Sequence, residues 1–167
     1  MEISLFTKCL FEFIGTLVLV LLGDGVVAST VLKRSKGFDG GWIVITIAWG
    51  LAVMCGVLIA GPYSGAHLNP AVSVGLAVAG SFPWAYVPGY VAAQLLGGFC
   101  GAVVVYLYYK DHFDATDDPA AKLGVFCTMP AIMDKPRNLF CEVVGTFLLV
   151  FVILAIGNEQ NTPEIGM

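Results

Sequence analysis

Charge is what this sequence has least of. Lys, Arg, Asp and Glu make up 12% of its 167 residues, about half of the roughly 25% usual in a water-soluble domain. With 58% hydrophobic residues and a mean hydropathy of +0.87, an ordinary soluble fold is excluded and a membrane protein remains. Histidine is nearly absent. His67 and His112 are the two, too few to assemble a histidine metal set. The five cysteines (Cys9, Cys55, Cys100, Cys127 and Cys141) lack metal-ligand spacing. Four of them lie in apolar runs and read as small packing residues, whereas Cys127 sits in a polar loop and its pairing stays open. No basic patch carries interleaved aromatics, which removes nucleic acid as a partner. No nucleophile–base pair or metal set converges, so no catalytic residue, metal or cofactor is assigned. No cleavable-leader pattern is expected in the first apolar run, which is too long and contains Glu12.

What the chain has is apolar length. Span one runs from about Phe6 to Leu32, interrupted by Glu12 and with Asp24 between Gly23 and Gly25 near its far end. Span two, from Trp42 to about Ala60, has no charge. Span three begins near Pro83, carries Gln94, and ends at Tyr106, Tyr108 and Tyr109, an interfacial aromatic belt. Span four covers about Asn138 to Ile156, and a polar tail follows. Between spans three and four, residues 110–137 hold five aspartates. Asp114 to Asp118 suggest calcium, but the spacing and glycine of an EF-hand are absent, so a long, solvated acidic connection is the better reading.

The stretch Ser64-Gly65-Ala66-His67-Leu68-Asn69-Pro70-Ala71 fits none of these spans. It is too polar to cross a bilayer and too deeply set among apolar runs to be an ordinary surface loop. Asn69 caps a helix and Pro70 fits its first position, where no amide hydrogen is needed. The apolar residues that follow, to about Val78, give a helix of some two turns, which at ~1.5 Å per residue covers about half of a ~30 Å hydrocarbon core. This predicts a re-entrant half-helix over about residues 67–78, its N-terminal end and the Asn69 amide facing a cavity. Irregular backbone at that depth is tolerable only where it lines a wet path.

Span four repeats span one. Phe11-Glu12-Phe13-Ile14-Gly15-Thr16 aligns with Cys141-Glu142-Val143-Val144-Gly145-Thr146 at an offset of 130 residues. Span four follows three crossings, so the second copy runs in the opposite sense, an inverted repeat of the kind found in transporters and channels. A second Asn-Pro-Ala stretch is then expected at about position 199, beyond this chain. Glu12 and Glu142, costly within a span, read either as proton couplers or as braces for re-entrant backbone; the brace is favoured. His67 reads as contributing its backbone carbonyl, with its ring packed behind.

These residues resemble the major intrinsic protein (aquaporin) family. The resemblance rests on Ser64 through Val72, the Glu-x-x-Gly-Thr repeats and Ala93-Gln94-Leu95-Leu96-Gly97. Trp49-Gly50-Leu51-Ala52-Val53 and Val105 through Tyr109 resemble its aquaglyceroporin (glycerol facilitator) branch. It implies an all-α membrane protein: an aquaporin-like inverted-repeat helical bundle with a re-entrant Asn-Pro-Ala half-helix. Residues 1–109 would form the first repeat, 110–137 a connecting loop, and 138–167 the start of a second repeat whose remainder is absent. The resemblance further implies that Asn69 donates to a passing hydroxyl while the carbonyls of Gly65, Ala66 and His67 accept along one wall. Leu68 and Val53 would form the apolar side, and Trp49 the aromatic of an outer filter; the competing reading of Trp49 is a lipid-facing ring. Glu12, Glu142, Gln94, Pro70 and Ala71 would support the pore loops.

The expected function is passive passage of glycerol, small polyols and water across the bilayer with protons excluded, by a homotetramer in the plasma membrane. The alternatives are a water-selective channel and, third, an ion-coupled transporter using Glu12 and Glu142. Seven of the eight Lys/Arg lie in the loops after spans one and three, which the positive-inside rule would make cytoplasmic. The resemblance implies the reverse, a cytoplasmic N-terminus, and that orientation is adopted.

Overall fold

The computed structural model describes residues 3–157. Its seven α-helices are α1 (Leu5–Val31), α2 (Gly41–Ser64), α3 (Pro70–Val78), α4 (Val87–Tyr108), α5 (Lys110–Ala115), α6 (Pro119–Gly124) and α7 (Lys135–Ile156), with a 3-10 turn at Trp84–Tyr86 before α4. There is no strand among the described residues. Four segments are long and apolar enough to cross a membrane: α1, α2, the turn with α4, and α7, with mean hydropathies of 2.1, 2.5, 1.8 and 2.7. The polar tail from residue 158 onward, the end of the expected 138–167 unit, lies outside the described residues.

Helix α1 is the hub, packed along α2 on one side and α4 on the other. Both seams are made of small residues. On α1, Gly15 and Gly23 are buried, and on α2, Ala52, Gly56 and Ala60. Large apolar side chains such as Phe6, Ile47, Leu58 and Phe99 point outward instead. That distribution is the reverse of a soluble protein's. Lipid solvates Leu and Phe as well as a protein core does, so the helices are held by close backbone approach and not by burial of bulk. Approach is closest between α1 and α4, where a Cβ on Gly101 would sit 2.7 Å from the Leu17 carbonyl oxygen. The half-helix α3, nine residues long, rests against α4 and α7. Helix α7 has no buried residue and meets α3 where Val150 lies over Gly75.

Residues 110–137 depart from the solvated connection read from sequence. Helices α5 and α6 fold back over the end of α1, and Phe113 and Val125 join Ala28, Leu32 and Val105 in one buried cluster. The Phe113 and Phe126 rings stack at 5.7 Å. Thr116 stitches the cap to the chain after α1: its Oγ1 accepts from the Lys33 amide (2.9 Å) and donates to the His112 carbonyl (2.7 Å). The aspartates 111, 114, 117 and 118 stay exposed, so the acidic face is real but is only one side of the segment. Buried apolar residues spaced this widely leave no periodic signal. Phe113→Ala is expected to loosen the cap alone, costing about 3 kcal/mol locally and speeding tryptic cleavage at Lys122 at least about tenfold while the spans stay folded. Unchanged cleavage would mean that the cluster contributes little.

Candidate functional site

Helix α2 stops at Gly65, whose φ of +83° is open to glycine at no steric cost. The next residues are less comfortable. Ala66 and Leu68 also take positive φ, 50° and 52°, a region that costs an L-residue roughly 1–2 kcal/mol each. The conformation persists because one side chain over-determines it. Glu12, 0% exposed, reaches from α1 and takes four donors. Its Oε1 accepts from Ser64 Oγ (2.7 Å) and the His67 amide (2.9 Å). Its Oε2 accepts from the Leu68 amide (2.7 Å) and from Gln94 Nε2 of α4 (2.8 Å). The Ala66 amide turns to Ser64 Oγ at 3.1 Å, and Tyr90 Oη donates to the Ser64 carbonyl at 2.7 Å. Three helices thus grip one irregular loop.

With these amides turned toward Glu12, the carbonyls of Gly65, Ala66 and His67 accept no hydrogen bond among the described residues. Gly65 is exposed and Ala66 half-buried. Asn69 then opens α3. Its Oδ1 accepts from the Ala71 amide at 2.8 Å and Pro70 occupies the first helical position, so the cap locks the amide and turns Nδ2 away from the helix. That Nδ2 has no partner among the described residues. A short row of free acceptors therefore leads to a free donor at the positive end of a helix dipole.

The His67 ring is buried behind the loop. Its Nδ1 lies 3.0 Å from Ser73 Oγ, which also accepts from Gln94 Nε2 at 3.0 Å, and Phe82 and Tyr90 pack against the ring with centroids at 4.4 and 4.9 Å. A serine and a histidine do meet here, but Ser73 is 0% exposed, so no substrate reaches its hydroxyl. The Leu68 side chain is buried in the α1–α2 seam, wedged where Cβ atoms on Gly15 or Gly56 would lie 2.6 and 2.8 Å from it. Val53 on α2 is 44% exposed. Trp49 is half-buried, its ring laid over Gly23. Glu142 is exposed in a groove beside Ala71 and Val74 and takes no part in holding the loop at 64–69. Among the described residues, no three His, Cys, Asp or Glu side chains come together.

Sequence reasoning passed over Ser64, Ser73 and Tyr90, all buried and all bonded into this network. Ser73 carried a signal, as the one hydroxyl within an otherwise apolar half-helix.

The family model described as "Major intrinsic protein" matches residues 1–167. The chain is 57% identical over 151 residues to a probable glycerol uptake facilitator protein of Thermotoga maritima, covering 90% of this chain and 64% of that one. It is 52% identical over 155 residues to a glycerol uptake facilitator protein of Bacillus subtilis, covering 93% and 57%. The X-ray structure of the aquaglyceroporin from Plasmodium falciparum superposes with a TM-score of 0.64 at 39% identity, over 70% of this chain and 48% of the other. The chain therefore spans less than two thirds of the length of these relatives.

Proposed function

The chain belongs to the major intrinsic protein family, and we propose that its re-entrant loop lines a passive transmembrane path for glycerol and other small uncharged solutes, with some water. One observation carries this reading: the Glu12-held loop leaves the carbonyls of residues 65–67 and the Asn69 Nδ2 without partners among the described residues. A polyol crossing the bilayer must exchange hydrogen bonds with water for bonds of the same number and kind. Free acceptors leading to a free donor supply them in sequence, and none binds tightly enough to trap the solute. The positive end of α3 opposes cations, which fits proton exclusion. No covalent step is involved, and the reading is a channel, not an enzyme. Glu12 is committed to four donors, which speaks against its use as a coupling carboxylate.

The names of the two relatives support glycerol over water as the characteristic solute. Trp49, laid over Gly23, is the filter aromatic in this reading. Assembly as a homotetramer in the plasma membrane, N-terminus inside, follows from the resemblance and belongs to the same proposal.

The test is stopped-flow light scattering of liposomes carrying the full-length protein. Glycerol entering no faster than into empty liposomes would sink the proposal; water faster than glycerol by a wide margin would favour the water-selective alternative. Trp49→Phe is expected to change the glycerol-to-water permeability ratio by about twofold or more, as removal of packing from a size filter does. An unchanged ratio would take Trp49 out of the filter.

A further inference from the structure

At the end of the bundle where α1 begins, α2 ends and α4 begins, the surface opens into a cleft of about 380 Å³ whose lining includes Ile3, Lys8, Tyr63, Gly65 and Tyr86. Lys8 is the only charged side chain among the described residues that line it. The other seven Lys/Arg follow α1 or α4 and lie at the opposite end. Lys8 is half-buried, its Nζ stands 5.6 Å over the Tyr86 ring, and it makes no ion pair among the described residues. Among the described residues no carboxylate pairs with this partly buried cation, so the cleft there is short of an anion.

The rim says where that anion comes from. Phe6 (78% exposed), Trp84 (57%) and Tyr63 (43%) surround the cleft's end of the bundle. Exposed aromatics at the end of spanning helices mark the level of lipid headgroups, and a lysine within the first turns of a span extends its ammonium to that level. A choline or ethanolamine headgroup would bring its own cation against Lys8, whereas an anionic headgroup would not.

We propose that this cleft binds the phosphate of an anionic phospholipid, with Lys8 as its cationic partner, Tyr86 holding the ammonium in place, and the acyl chains lying outward along Ile3 and Phe6. The inference does not depend on which solute crosses the membrane.

Native mass spectrometry of the full-length protein in detergent, with phosphatidylglycerol or phosphatidylcholine added, tests it. Wild type is expected to retain phosphatidylglycerol in preference to phosphatidylcholine. Lys8→Met is expected to lower phosphatidylglycerol retention about fivefold, the loss of one interfacial charge contact, while Lys8→Arg retains it. Lys36→Met, at the other end of the bundle, serves as the background control. Equal retention by wild type and Lys8→Met, or equal retention of the two lipids, would overturn the proposal. Displacement of phosphatidylglycerol by millimolar inorganic phosphate would assign the cleft to soluble phosphate and overturn the lipid as its source.

Discussion

Glu12→Ala is expected to abolish the proposed glycerol passage and to destabilise the protein more than any other single polar substitution. The reason lies in which donors have somewhere else to go. Ser64 Oγ keeps the Ala60 carbonyl at 3.2 Å, and Gln94 Nε2 keeps Ser73. The His67 and Leu68 amides have no other acceptor among the described residues. Two buried amides left unpaired cost ~1–3 kcal/mol each, so a loss of ~2–6 kcal/mol is expected. The cheapest relief is for Ala66 and Leu68 to leave their positive-φ conformations, which turns the amides outward and takes the carbonyls of 65–67 away from the path. Glu12→Gln should fall between, since its amide nitrogen meets donors where a carboxylate oxygen accepted. Thermal melting in detergent and stopped-flow glycerol uptake read the two consequences separately. Wild-type melting and uptake in Glu12→Ala would show that the loop holds its shape without the carboxylate.

Gly97→Val should damage folding by a different route. A Cβ at Gly97 would collide with the Phe13 carbonyl and sit 3.2 Å from the Leu17 amide nitrogen. These are backbone atoms of α1 and no rotamer change moves them. The helices must separate by an ångström or more, and Gln94, one turn away on α4, moves with them out of reach of Glu12. Overpacking commonly costs 1–3 kcal/mol where side chains can yield; against rigid backbone, about 3 kcal/mol or more is expected, with loss of membrane-extracted, correctly folded protein. Gly25→Ala on α1 is the control. A Cβ there would meet nothing within 4 Å, so it should hold or raise the melting temperature, by the ~0.5–1 kcal/mol that alanine gains over glycine in a helix. Equal melting of Gly97→Val and wild type would mean that α1 and α4 are not tightly joined.

The two substitutions act on the same structure from different distances. Glu12 and Gln94 are 82 residues apart, and their meeting requires the α1–α4 seam that Gly97 and Gly101 make possible. A loss of the proposed glycerol passage in both variants, with the α1–α4 seam opened only in Gly97→Val, would separate the brace from the scaffold.

Much of the design was already legible along the chain, because its causes are local. Apolar length alone marks a crossing helix, and Asn69 before Pro70 marks a helix start wherever it occurs. A glutamate in a span is costly enough to call for a partner, which Glu12 finds, whereas Glu142 is exposed and has none among the described residues. Tertiary structure decided who the partners are. Nothing near Glu12 in sequence says that it takes Ser64, His67, Leu68 and Gln94 and passes over the loop's other donors. Nor does the chain show that Leu68 turns into the seam between Gly15 and Gly56. Phe113 and Val125 are buried only because the end of α1 gives them a surface to cover, which the sequence of the acidic connection does not show. Helix type, caps and membrane crossing depend on neighbours within a few residues. The loop's shape depends on donors and acceptors 26 to 82 residues apart, and only the packed helices bring those within a hydrogen bond's length.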